Sequence, residues 1–320
     1  MKTRHYLGCI SAPLAIAALL AYCLTMWVDP YYGRQNLEDT SPSEHPTHDP
    51  RVKQALLAEA LIDTYLLGSS RAIRGFDTRS LPRAFNCGTY APSSLRIRNQ
   101  LKGFLKHAQS PHLYFIEVGD HEGNPYDFPA TYNWRARFSS EALRSTLKLL
   151  YLKFIYTLNS NAVVDFSEQI EPSDPGKFTI KAKRIQKALA SLRASELTQS
   201  DIASIISTVK QSNRGSRVVF YTPPINPHFL KDPSIANANQ SYNAMWQAAF
   251  DPSRLKSENS AAIFINLSTP EAWAEQANVV WNEDQWSDLI HFKPSVGALI
   301  FKRLHQAASH SALNIDPANQ

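Results

Sequence analysis

Two short segments hold residues suited to nucleophilic chemistry. The first is Leu66-Leu67-Gly68-Ser69-Ser70-Arg71-Ala72, where an apolar run stops at a glycine and two hydroxyls follow. A hydroxyl there stands at the carboxyl end of a buried strand, where open α/β sheets gather their sites. Nearby helix N–H groups suit a developing oxyanion. The second is Trp286-Ser287-Asp288-Leu289-Ile290-His291-Phe292-Lys293-Pro294. Asp288 and His291 stand three apart. In a loop or single turn that spacing lets the carboxylate hold one imidazole nitrogen while the other faces a nucleophile. The competing reading is structural. A serine after a strand is a good helix N-cap, and Asp288 can cap a turn while His291 packs. Residue types alone do not choose between Ser69 and Ser70.

The elements that must position these groups follow from short apolar runs at 64–67, 112–118, 217–221 and 261–267. Each is bounded by turn or polar residues and rich in aromatic and β-branched types, as buried parallel strands are. Helical spacing appears at 51–62, 93–109, 139–158, 179–193, 199–211 and 241–250. A last helix, 294–308, opens on Pro294, as a first turn prefers. The alternation predicts an α/β domain over 51–310, a three-layer doubly wound and mostly parallel sheet, followed by a tail at 311–320. The stretch 126–196 is long for one crossover and predicts a helical insertion or lid.

Lys2 and Arg4 lie in residues 1–6, and from Leu7 to Val28 there is no charge over 22 residues. That length crosses a bilayer as a helix, with Pro13 tolerated and Trp27, Tyr31 and Tyr32 suited to the far interface. A cleaved signal would carry about 7–15 apolar residues before a small-x-small site. Here the run ends in Met26-Trp27-Val28-Asp29-Pro30, and bulky Tyr22 before Cys23 argues against a lipoprotein site. The pattern predicts an uncleaved single-pass anchor in a bacterial inner membrane. Residues 1–6 would be cytoplasmic, 29–50 a linker, and the rest periplasmic or extracellular. Cys9 and Cys23 fall inside the run, so Cys87 has no intrachain disulfide partner and the core must suffice alone. The apolar stretch 147–158 is too short to span and holds Lys148 and Lys153, so it reads as a buried or interfacial helix.

An apolar fraction of 43% excludes a chain disordered throughout. The net charge of +5 is spread along the chain and makes no case for nucleic acid. His107, His112, His121 and His228 lack metal-ligand spacing, and no glycine-rich phosphate loop occurs, so neither metal nor cofactor is expected.

With Asn86-Cys87-Gly88 between them, the two segments resemble the blocks of the SGNH (GDSL-type) hydrolase superfamily, over about 64–308. The resemblance implies Ser70, third in its block, as nucleophile. It implies His291 as general base, Asp288 as its orienting partner, and the Ser70 and Gly88 N–H groups as oxyanion donors. Two departures stand out. Ser69 replaces the usual aspartate, and this Gly-Ser-Ser form is similar to a membrane-anchored branch that includes D-alanyl transfer and alginate acetylation proteins. The third block, normally Gly-x-Asn-Asp, reads Val118-Gly119-Asp120-His121 and lacks its asparagine donor. His121 and Asn226 are candidate substitutes, and Arg71 and Asn86 candidate substrate contacts. Arg71 and Arg74 read equally as solvated surface charge.

The implied activity is O-acyl, chiefly acetyl, transfer to or removal from a cell-envelope polysaccharide through an acyl-serine. The implied partners are an acyl donor or acylated glycan, the membrane, and a multi-spanning membrane acyltransferase. Two alternatives stand beside it. One is a non-catalytic assembly or binding protein on the same fold. The other is a lipid-acting esterase, marked by an apolar groove beside 147–158.

Overall fold

The computed structural model describes residues 2–28, 61–78, 80–81, 83–88, 94–108, 112–118, 143–144, 146–147, 150–151, 215–231, 233–250, 262–287 and 291–313. The chain divides into two compact units. One comprises Met1–Ala58 with Phe128–Ala162, the other Glu59–Asp127 with Val163–Gln320. The first holds helix α1 (Lys2–Val28), with Pro13 inside it. Leu14, Ile16, Leu19, Leu20 and Trp27 are exposed on α1, and so are Leu147 and Tyr151 of the same unit. Among the described residues, no helix is long and apolar enough to cross a membrane. The expected linker at 29–50, the helices at 179–193 and 199–211, and nearly all of that at 51–62 lie outside the described residues.

The second unit is a five-stranded parallel sheet in the order β2-β1-β3-β4-β5. Its strands are β1 (Thr64–Leu67), β2 (Ala84–Asn86), β3 (Leu113–Glu117), β4 (Arg217–Thr222) and β5 (Ala262–Asn266). The four apolar runs are thus the strands expected of them. β2 was not expected: three residues on the sheet edge, entered through Arg83 at φ 54°, are too few to show a period. Strand order reverses between β1 and β3, which makes the carboxyl ends of these two strands the switch point where open α/β sheets place their sites.

Side chains alternate across the sheet. On one face Tyr65 stacks with Tyr114 and with Phe104 of helix α3 (Ser94–His107). On that face too, Phe220 and Phe264 meet Phe250, and Phe264 meets Trp246, at helix α4 (Pro233–Ala249). On the other face Leu66, Phe115, Val219 and Tyr221 join one core with Phe292, Val296, Ile300 and Phe301. Val296, Ile300 and Phe301 belong to the C-terminal helix α5 (Pro294–Leu313), and α2 (Ser70–Gly75) is the short helix after β1. Fully burying one such side chain stabilises by about 1.5–3 kcal/mol.

Two helix boundaries correct the sequence reading. α4 starts at Pro233 rather than 241 because its buried face runs Asn239, Asn243, Trp246, Phe250. The two asparagines bond Ser268 and hide the apolar period. α5 continues to Leu313, into the expected tail, and Arg217 Nη1 bonds the Ala308 carbonyl at 2.7 Å.

α2 and α5 meet through glycine. A Cβ on Gly297 would lie 1.8 Å from the Gly75 carbonyl oxygen, and one on Gly75 would lie 1.8 Å from the Phe292 ring. Gly297→Ala should therefore cost about 1–3 kcal/mol, read as a lowered urea midpoint, because backbone rather than a flexible side chain must move.

His305 of α5 packs on Phe115 and lies 3.3 Å from Thr64 Oγ1. Burial, with the Arg217 guanidinium adding and Asp63 opposing, holds its imidazole below the ordinary histidine value. The unfolded chain then binds a proton that the folded chain resists. Stability is full above the ordinary range and falls as pH drops through it toward the folded value. The urea midpoint should fall between about pH 7.5 and 5.5, and His305→Gln should flatten that slope.

Candidate active site

β1 ends at Leu67, and after Gly68 the chain turns into α2 with Ser69 as N-cap, extended at φ −85° and ψ −167°. The Ser69 hydroxyl accepts the Arg71 N–H at 3.1 Å. The structural reading and the chemical reading therefore fall on different serines. Ser69 caps the helix, and Ser70 begins it with its Oγ 2.8 Å from His291 Nε2, across 221 residues of sequence. That is within hydrogen-bond reach for proton abstraction.

His291 is buried and is held on both sides along the chain. Its carbonyl accepts the Ser287 N–H at 2.8 Å, and the Lys293 N–H reaches the Gln285 carbonyl at 2.8 Å. These bonds make a short antiparallel bridge between Trp286 and Phe292. The Phe292 ring stands edge-on to Phe76 and Trp286, at 6.0 and 6.1 Å. Trp286 Nε1 donates to the Val280 carbonyl at 3.0 Å. Asp288, the expected orienting carboxylate, lies outside the described residues.

Sequence reasoning missed Glu117, the last residue of β3. Its side chain is fully buried, and among the described residues Ser69 and Arg71 donate to its carboxylate. Ser69 Oγ gives one hydrogen bond at 2.7 Å, Ser69 N–H one at 3.1 Å and Arg71 Nε one at 2.8 Å. The signal was present, since a charge inside the apolar run Leu113-Tyr114-Phe115-Ile116-Glu117 must find partners when buried. Gly68 leaves the carboxylate room, as a Cβ there would lie 2.5 Å from Glu117 Oε2. Tyr221 pairs with Glu117 in the β3–β4 register. Burial pushes its phenol well above the ordinary value, with the Glu117 charge adding and Arg71 opposing. The phenol therefore stays protonated.

The structure gives three of the expected residues partners within the fold. Arg71, expected to contact substrate, turns its Nε to Glu117, because a buried carboxylate draws the nearest cation. Asn86, also expected at substrate, donates from Nδ2 to the carbonyls of Ala72 at 2.7 Å and Phe76 at 3.1 Å. It thereby closes the C-terminal end of α2. Gly88, expected as an oxyanion donor, gives its N–H to Asn86 Oδ1 at 2.9 Å. Among the described residues, no acceptor takes the Ser70 N–H. Asn226 is buried where a single helical turn, Pro227–Leu230, begins, and its carbonyl accepts the Phe229 N–H. Arg74 is half-buried rather than fully solvated, and His121 lies outside the described residues. Among the described residues, no group of three or more His, Cys, Asp or Glu could hold a metal ion.

No protein-family model matches the sequence, and no curated protein matches it significantly.

Asn86→Ala would strip three backbone groups of their partner. A loss of about 1–3 kcal/mol should follow in urea unfolding. A residue serving substrate alone would instead leave the unfolding midpoint in place.

Proposed function

We propose that this chain is an SGNH-type serine enzyme that acts on acyl esters through an acyl-serine at Ser70. The observation that carries the reading is the 2.8 Å approach of His291 Nε2 to Ser70 Oγ, just beyond the carboxyl end of β1 where the strand order reverses. His291 takes the Ser70 proton as Oγ attacks the ester carbonyl. The tetrahedral oxyanion is met by the Ser70 N–H. The imidazolium returns its proton to the departing alkoxide, the ester C–O bond breaks, and acyl-Ser70 remains. Water or a sugar hydroxyl then yields a proton to His291 and attacks the acyl carbon, and Ser70 leaves with its proton restored. Asp288 orients the imidazole in this scheme.

The oxyanion donors are few. Gly88 is engaged by Asn86, and the third block lacks its asparagine. One missing donor raises the barrier by about 3–4 kcal/mol. A slow hydrolase that keeps its acyl-serine from water is what a transferase requires, so the favoured reaction is O-acetyl transfer to a cell-envelope polysaccharide. A multi-spanning membrane acyltransferase would supply the acyl group. The reading of the uncharged run at 7–28 as a single-pass inner-membrane anchor rests on its sequence. Support comes from its length of 22 residues and from the exposed Leu14, Ile16, Leu19, Leu20 and Trp27 of α1.

A serine-reactive fluorophosphonate should label the chain at Ser70. Ser70→Ala should abolish labelling, and His291→Ala should slow it by about 10²–10⁴-fold. Labelling that survives Ser70→Ala, or none in the unaltered chain, would favour a binding protein on this fold. With a radiolabelled acetyl donor, counts should pass to a glycan acceptor. Release to water alone removes the transferase half of the proposal.

A further inference from the structure

Resting on the acyl-serine reading, we propose that Glu117 is a positioning residue that decides which of two adjacent serines reacts. Two hydroxyls follow β1 with nothing between them. One must be silenced and the other presented, and a single buried carboxylate does both.

Glu117 Oε1 accepts the Ser69 hydroxyl proton at 2.7 Å and Arg71 Nε at 2.8 Å, while Oε2 accepts the Ser69 backbone N–H at 3.1 Å. The Ser69 oxygen also accepts the Arg71 N–H at 3.1 Å. Ser69 therefore has its proton and its oxygen both engaged, away from His291. The same bonds grip the backbone on either side of Ser70, at the Ser69 N–H and at Arg71. What is left of the turn is the Ser70 side chain, which meets His291 Nε2 at 2.8 Å.

The register makes this possible. Leu67 pairs with Ile116, so Gly68 lies beside Glu117, and the absent Cβ of Gly68 is where the carboxylate sits. Arg71 balances the charge, so the carboxylate stays an acceptor toward all three donors. Glutamine cannot replace it, because its amide NH₂ would face an N–H or O–H donor instead of accepting one.

The test uses the full chain in detergent and p-nitrophenyl acetate, following the burst of acyl-enzyme. Glu117→Gln should lower the burst rate roughly 10- to 100-fold, as an ångström-scale displacement of the nucleophile does, with the half-saturating ester concentration unchanged. Ser69→Ala, which keeps the carboxylate and loses one contact, should lower it less. The double variant should be no slower than Glu117→Gln alone. Peptide mapping after fluorophosphonate labelling should find Ser70 alone in the unaltered chain and a fraction on Ser69 in Glu117→Gln. An unchanged burst rate in Glu117→Gln, with label still only on Ser70, overturns the proposal even if the melting temperature falls. If Glu117→Gln does not fold, a Ser69→Ala burst equal to that of the unaltered chain overturns it. Absence of a Ser70-dependent burst in the unaltered chain is a different result, and sinks the acyl-serine reading itself.

Discussion

The site rests on a backbone contact rather than on any bond within it. α2 carries Ser70 at its start and Gly75 at its end, and His291 stands just ahead of α5, whose Gly297 lies against the Gly75 carbonyl. Two helices can approach this closely only where neither has a side chain. The Phe292 ring lies over Gly75 for the same reason. The hydrogen bond between the Ser70 hydroxyl and the His291 imidazole tolerates about half an ångström. Any atom added at this contact would use more than that.

A second constraint lies behind Ser70. A fully buried carboxylate is costly to desolvate, and here it is offset by a cation and by two donors from one serine. Tyr221, opposite Glu117 in the next strand, is kept neutral by burial and by that charge. The carboxylate and the glycine contact act at the two ends of α2. Between them they leave a six-residue helix little freedom to turn.

Legibility in the sequence followed burial. Strands β1, β3, β4 and β5 are covered on one or both faces, so their runs are mostly apolar and stand out from their surroundings. β2 is three residues on an edge, and α4 packs two asparagines where a helix normally packs aliphatic residues. Both evade a search for hydrophobic period. At the site, the Ser69-Ser70 pair and His291 were legible from residue type and chain position, while the choice of Ser70 rested on the family resemblance. Arg71, Asn86 and Gly88 were assigned to substrate and oxyanion, yet each bonds a neighbour whose nearness no local pattern encodes.

The amino-acid order by itself determined four of the five strands, that two hydroxyls follow the first of them, and that a histidine precedes a proline-led helix. Those are properties of contiguous residues, set by hydrophobic period and by helix-terminus preference. Only the tertiary structure decided which hydroxyl meets the imidazole, and that Glu117, 48 residues further on, holds the other. A hydrogen bond depends on distances of tenths of an ångström between segments far apart in the chain, and strand register and helix packing set those distances.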